Sequence, residues 1–346
     1  MLDFSTRSQG SAREGRGYYA CAPMSTSGPM RFQFRHFRFL CGGLAALVSA
    51  GANASELLVT SFFSNTIVRY DTISGTTIGS YTGGTVSGAL GLNVGPDGLL
   101  YVCSEGNNSI QRFNMSTHAY VDTFISGSNL NSPTGITFDA SHNVLVGNFN
   151  SSTVTKYSSS GTFLNTLVTA GSGGIDGPDV GITLGPDGKL YVPSFNSGAV
   201  IRYNASTGAF LDTFIPAGGA GAMSQPRTIL FRDSKVWVTS DNGNKVLRYG
   251  LDGTFIDTFV TAGLGGLSGA SGMAFGDDGM LYVSSWRNNR ILKYSLTDGS
   301  FAGTAISTGL NGPTAILMVP EPSTVMGIGL GLAAIIKLRR KRTSNQ

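Results

Sequence analysis

Histidine, cysteine and charge are all scarce in this chain of 346 residues, which holds three histidines, three cysteines and only 13% charged residues. Cys21 and Cys41 lie in a leading stretch read below as removable, which leaves Cys103 alone. One thiol makes no internal cystine, so strand pairing and core packing must hold the fold. Cys103 ends the apolar run Leu99-Leu100-Tyr101-Val102-Cys103, where a buried, inert thiol is expected. His118 and His142 fall in polar turns where other parts of the chain carry Gly or Asp-Gly. Lyase, Ser-His-Asp and Cys-His chemistry therefore lack a base. Walker, Rossmann and paired-cysteine metal motifs are missing too. No helical period runs through residues 55–318.

Charge is scarce and also uneven. The formal net charge is +4, yet residues 1–54 carry six Arg against two acids, and residues 319–346 carry five Lys or Arg against one. Residues 55–318 hold 13 basic and 17 acidic side chains, a net charge of −4. The basic excess belongs to the ends, and a nucleic-acid-binding surface is excluded.

Both ends read as addresses. Residues 1–29 are patternless, with Met24 or Met30 as alternative starts. Residues 30–54 place Arg31, Arg35 and Arg38 ahead of an apolar run from Phe39 to Val48, followed by Ala52-Asn53-Ala54. That is the three-part pattern of a secretory signal peptide, cleaved before Ser55. At the other end stand Pro320-Glu321-Pro322, the apolar stretch Val325 to Ile336, and a basic cluster from Lys337 to Arg342. Cations after a terminal apolar segment stop translocation and stay cytoplasmic. The apolar stretch is short for a span, though Lys337 snorkels and Leu338 extends it. The order of motif, hydrophobic helix and basic cluster resembles the PEP-CTERM sorting signal. That resemblance implies an exosortase-type sorting protease as partner, a transient inner-membrane anchor, and delivery to the envelope or extracellular matrix.

What the chain has in abundance is glycine, 49 residues, together with a repeat. Six segments end in a basic residue before an aromatic: Arg69-Tyr70, Arg112-Phe113, Lys156-Tyr157, Arg202-Tyr203, Arg248-Tyr249 and Lys293-Tyr294. The aromatics recur at intervals of 43, 44, 46, 46 and 45 residues. Ahead of each lies a β-rich run such as Leu190-Tyr191-Val192-Pro193-Ser194 or Leu281-Tyr282-Val283-Ser284-Ser285, and after most comes another strand such as Phe210-Leu211-Asp212-Thr213-Phe214. Turns such as Gly95-Pro96-Asp97-Gly98 and Gly185-Pro186-Asp187-Gly188 close the unit, with Gly supplying the positive φ. Four short strands per unit of this length fit a propeller blade.

The phase of the repeat predicts closure. The chain after Ser55 opens on the second strand type and ends with an extra first-type strand, Gly312 to Met318. The last strand then completes the first blade, removing open edges. The expected fold is all-β: a six-bladed β-propeller of four-stranded antiparallel blades over 55–318, followed by a sorting segment with a hydrophobic helix over 319–346. The Leu-Tyr-Val and Arg-Tyr stretches make this propeller similar to NHL-type, virginiamycin-lyase-like and gluconolactonase-like repeats. A shared propeller specifies fold far better than activity.

Candidate site residues come from the strand ends. Ser61, Ser104, Asn148, Ser194, Ser240 and Ser285 follow the second strands, and Phe62, Glu105, Phe149, Phe195, Asp241 and Trp286 come next. Four aromatics in that second column point to packing between blades. Glu105 and Asp241 break the column in blades two and five, opposite each other. With Asn148 and Asp179 they are the candidate oxygen ligands for Ca²⁺, the one cofactor the residues suggest. Resemblance to gluconolactonase-like propellers implies an acid, an Asn and an Asp on the metal, a set not found here in matching places. Arg227 is the only charge just before a first-type strand, where other blades carry Leu90, Thr134, Val180, Ser271 and Thr314. It is a candidate anion-binding residue. The leading functional reading is a non-catalytic envelope or matrix protein whose propeller binds a protein or polysaccharide. The competing reading is an exported hydrolase or lactonase with a channel Ca²⁺.

Overall fold

The computed structural model describes residues Glu56–Val319. The expected signal peptide with Ala52 and Ala54, the Pro320-Glu321-Pro322 motif and the C-terminal hydrophobic helix lie outside the described residues. Among the described residues no helix is long and apolar enough to cross a membrane.

Twenty-four strands form six antiparallel four-stranded sheets. The first blade contains β1 (Glu56–Ser61), β2 (Thr66–Asp71) and β3 (Thr77–Ser80). The second is β4 (Ala89–Val94), β5 (Leu99–Ser104), β6 (Ser109–Asn114) and β7 (Tyr120–Ser126). The third is β8 (Pro133–Phe138), β9 (Val144–Asn148), β10 (Thr153–Tyr157) and β11 (Phe163–Val168). The fourth is β12 (Thr183–Leu184), β13 (Leu190–Ser194), β14 (Ala199–Tyr203) and β15 (Phe210–Ile215). The fifth is β16 (Pro226–Arg232), β17 (Lys235–Ser240), β18 (Lys245–Gly250) and β19 (Phe255–Val260). The sixth is β20 (Ala270–Phe275), β21 (Met280–Ser285), β22 (Arg290–Ser295) and β23 (Phe301–Ile306).

The remaining strand, β24 (Pro313–Val319), returns to the first blade and pairs antiparallel with β1, Leu57 facing Met318 and Leu58 facing Leu317. The six-bladed propeller is thus closed by its last strand, as the phase of the repeat requires. Thr60 Oγ1 donates to the Ala315 carbonyl at 3.1 Å, accepts from the Ala315 N–H at 2.9 Å and meets Thr314 Oγ1 at 2.9 Å, fastening the two ends with buried groups.

The repeated residues now have causes. In the Gly95–Gly98 turn, Asp97 Oδ1 accepts from the Leu99 N–H and Asp97 Oδ2 from the Tyr101 hydroxyl at 2.9 Å; Gly98 holds φ +75°. Asp187 with Tyr191 and Asp278 with Tyr282 repeat the pair. In blades two, four and five the basic residue before the third-strand aromatic pairs with an acid on the outer strand and lies over an aromatic ring, whereas Arg69 pairs with Glu56 of β1 and Lys156 with Asp139. Arg112 grips Asp122 at 2.6 and 2.8 Å and stacks 4.3 Å from the Phe124 centroid. Arg202 with Asp212 and Phe214, and Arg248 with Asp257 and Phe259, do the same.

Second strands are buried on both sides because they sit between neighbouring sheets; β9 and β13 are buried at every residue. Tyr101 meets Phe138 of the next blade edge to face at 5.0 Å, as Tyr191 meets Phe231 and Trp237 meets Phe275. Cys103 is buried in that seam between blades two and three.

Candidate functional site

Each second strand ends at a small polar residue whose side chain is buried, and the loop crossing into that blade's first strand is tied to it. Ser104 Oγ accepts from the Ser87 N–H at 2.8 Å and donates to the Ser87 carbonyl at 3.2 Å. Ser61 does so at Asn311, Ser194 at Asp176, Ser240 at Ser224 and Ser285 at Ser268. This ring of hydroxyls is structural. Asn148 takes the serine's place in blade three: Oδ1 accepts from the Asn131 N–H at 3.0 Å, and Nδ2 donates to Thr155 Oγ1 and the Val146 carbonyl. Asn148 is fully buried with its amide used there, so the structure does not bring it to the site.

The residues that follow this ring surround a cavity of about 180 Å³ on the loop face. Phe62, Phe149, Phe195 and Trp286 line it, with Glu105, Asp179 and Arg227 among them. The sequence assigned these rings to packing, and Phe62 does rest over Gly88 and Phe149 over Gly177, each at a crossover into the next blade. The same rings also wall the cavity, which the sequence pattern did not disclose.

Arg227, the second residue of β16, is clamped from four sides. Its Nε donates to Asp241 Oδ2 at 2.5 Å and its Nη1 to Asp179 Oδ2 at 3.0 Å. Its guanidinium lies 4.7 Å from the Phe195 centroid and 5.3 Å from that of Trp286. Cation–π contact and ion pairing thus act together on one planar group. Asp241 also pairs with Arg287 of blade six, whose Nη1 donates to the Asp241 backbone carbonyl at 3.3 Å. The chain Asp179–Arg227–Asp241–Arg287 therefore crosses from blade four to blade six. Sequence reasoning named the first three; Arg287 has no repeat signal and was missed.

The electrostatics follow from burial. Burial works against the Arg227 charge, but Asp179, Asp241 and Glu105 more than offset it and raise its pKa. Burial pushes the Asp179 carboxyl up, against the pull of Arg227 and of its bond from the Val180 N–H. Glu105 is half-buried and, among the described residues, has no ion pair or side-chain hydrogen bond. Burial pushes its carboxyl above the usual range, Asp179 adds to this, and Arg227 opposes it.

Glu105 and Asp241 do stand on opposite blades, but only Glu105 and Asp179 reach the cavity as lining acids. Asp241 is 0% exposed and held by two guanidinium groups, and Arg227 sits on Asp179. A hard cation wants several converging oxygens without a competing cation, and these four residues do not form such a set. Among the described residues no group of three His, Cys, Asp or Glu is arranged to hold a metal ion. His118 packs edge to face on Tyr81 and His142 sits in an exposed turn; neither lines this cavity.

No curated protein matches the chain. Similar solved structures include a protein of unknown function from Bacteroides caccae, with TM-score 0.61 and 14% identity over 78% of this chain and 100% of that one. The nidogen/laminin complex gives TM-score 0.62 and 17% identity over 77% and 98%. Virginiamycin B lyase from Staphylococcus aureus gives TM-score 0.52 and 17% identity over 77% and 82%; a form of that lyase with a histidine replaced by alanine, with quinupristin, is catalytically inactive. At these identities the likeness is one of fold. Residues 319–342 match the family model described as the PEP-CTERM protein-sorting motif, a signal of exported, envelope-associated proteins. The chain is a six-bladed β-propeller carrying a PEP-CTERM sorting motif at its C-terminus.

Proposed function

We propose that the chain is exported through its N-terminal signal peptide, sorted by an exosortase at Pro320-Glu321-Pro322, and displayed in the envelope or matrix, where the loop-face cavity is a non-catalytic binding site for a protein or polysaccharide. One observation carries this reading: the cavity is walled by five aromatic rings, those of Phe62, Phe63, Phe149, Phe195 and Trp286, while the buried charges Asp179, Arg227 and Asp241 are locked to one another. Aromatic walls supply contact area at small entropic cost. Locked charges shape the site and are committed to their own ion pairs, Asp179 and Asp241 both to Arg227.

The test is retention of the exported protein on matrix prepared from the producing cells, divided into polysaccharide and protein fractions. Phe149→Ala and Trp286→Ala are expected to abolish retention on one fraction without changing export. Undiminished retention by both variants would sink the reading.

The metal-dependent hydrolase is the competing reading, and the one lining carboxylate open to it is that of Glu105, since Arg227 occupies Asp179. It requires a melting temperature raised by Ca²⁺ and lost on Glu105→Ala. A binding module requires no such shift.

A further inference from the structure

Blades two and five face each other across the ring, and their loop-face residues share a plan of an acid between flanking rings but differ in their cations. In each, an acid follows the second strand: Asp241 after β17 and Glu105 after β5. In each, the neighbouring blades contribute an aromatic ring on either side. Phe195 and Trp286 flank the fifth blade, and Phe62 and Phe149 flank the second. The fifth blade then supplies a guanidinium of its own from the second residue of its first strand, Arg227, between rings and carboxylates. The second blade has Leu90 at that place. Glu105 is left with rings on both sides, an acid nearby and no cation of its own.

We propose that the Glu105 half of the cavity receives the guanidinium of an arginine side chain from a partner polypeptide, seated between Phe62 and Phe149 as Arg227 is seated between Phe195 and Trp286. The proposal rests on the binding-module reading above and names the chemistry of what is bound. Charge agrees with it. Asp179, Asp241 and Glu105 carry three negative charges against the two of Arg227 and Arg287, so the site is one positive charge short before a ligand arrives. A guanidinium suits the place better than an ammonium because its flat face stacks on rings while its edge meets a carboxylate with two donors. The half-buried Glu105 carboxylate recovers on binding the interaction it loses to burial.

The experiment uses the whole chain, with Nα-acetyl-L-arginine amide as probe and the neutral isostere Nα-acetyl-L-citrulline amide as control, each titrated by calorimetry. Saturable binding of the arginine probe is expected, weakened at least about tenfold in the citrulline control and about tenfold by Glu105→Gln, since a charged hydrogen bond is lost in both. Leu90→Arg, which supplies the missing cation from within, is expected to abolish binding. Because that variant introduces a long side chain where Leu90 is 5% exposed, Glu105→Gln decides the matter if Leu90→Arg does not fold. Equal binding of citrulline, equal binding of D-glucosamine, or binding unchanged by Glu105→Gln would each overturn the assignment. Matrix retention lost in Phe149→Ala but untouched by Glu105→Gln would keep the binding module and discard the arginine.

Discussion

Asn65 of the first blade accepts a hydrogen bond through Oδ1 from the Gly88 N–H, 2.7 Å away at the entrance to the second blade. Asn108 to Ser132, Ser152 to Gly177, Asn244 to Gly269 and Asn289 to Gly312 repeat this clasp at successive seams. The accepting residues hold left-handed φ between 49° and 57° in the turn after the second strand, which Asn tolerates better than most residues. At the seam from blade four to blade five the equivalent residue is Gly198, φ +71°, which has no side chain to offer Gln225.

Gly198→Asn should install the missing clasp. A Cβ there meets only Ala217 Cβ at 3.5 Å, an ordinary contact, and Asn suits the φ. One added hydrogen bond and a less flexible unfolded chain give about 1 kcal/mol, or a rise of roughly 2–4 °C in a domain of this size. Calorimetry of the single variant checks it; an unchanged melting temperature would show that the side chain does not reach across.

Arg227→Met removes the cation that joins blades four and five. Asp179, 3% exposed at its side chain, loses its ion pair, while Asp241 keeps Arg287. A buried charge left alone costs about 3–5 kcal/mol, and the loss should appear in urea unfolding as a lower midpoint at unchanged slope. Adding Asp179→Asn to Arg227→Met should recover much of it. If the double variant is no more stable than the single one, the uncompensated charge is not the cause.

The blades were legible because each is written in the same residues. Arg202 and Tyr203, or Asp187 and Tyr191, meet their partners within one unit, so the repeat exposes them. Closure was legible from phase, since β24 can pair only with β1. The cavity was less so. Arg227 reaches Asp241 fourteen residues away and Asp179 forty-eight residues away, and which acid a lone arginine takes depends on how blades meet, not on any spacing. Asn148 stood among the candidate oxygen ligands as one of the small polar residues at the strand ends; its amide performs the serine's task with a longer side chain.

Cys103 should be inert in the folded chain. It is 0% exposed in the seam between blades two and three, and burial pushes its thiol well above the usual range. The thiolate is the reacting species, so with Cys21 and Cys41 replaced by Ser, reaction with a disulfide reagent should proceed at the rate of blade opening and jump on unfolding in urea. Prompt stoichiometric labelling under native conditions would contradict this burial.

Glu105 gives stability a pH dependence of definite sign. Its carboxyl titrates higher in the fold than in the unfolded chain, with burial the main cause and Asp179 adding to it. A group raised on folding favours the native state when protonated; that contribution is complete below the unfolded value, about 4.3 for Glu, and is lost as pH rises through the higher native value. Glu105→Gln, neutral throughout, should therefore melt above the parent chain at pH 7, and the difference should shrink as pH falls through the carboxylate range until the two coincide. The carboxylate destabilises the empty cavity, which is the expected signature of a charge kept for a ligand. A variant that melts below the parent at pH 7, or a gap that widens in acid, would mean that Glu105 is already paired within the propeller.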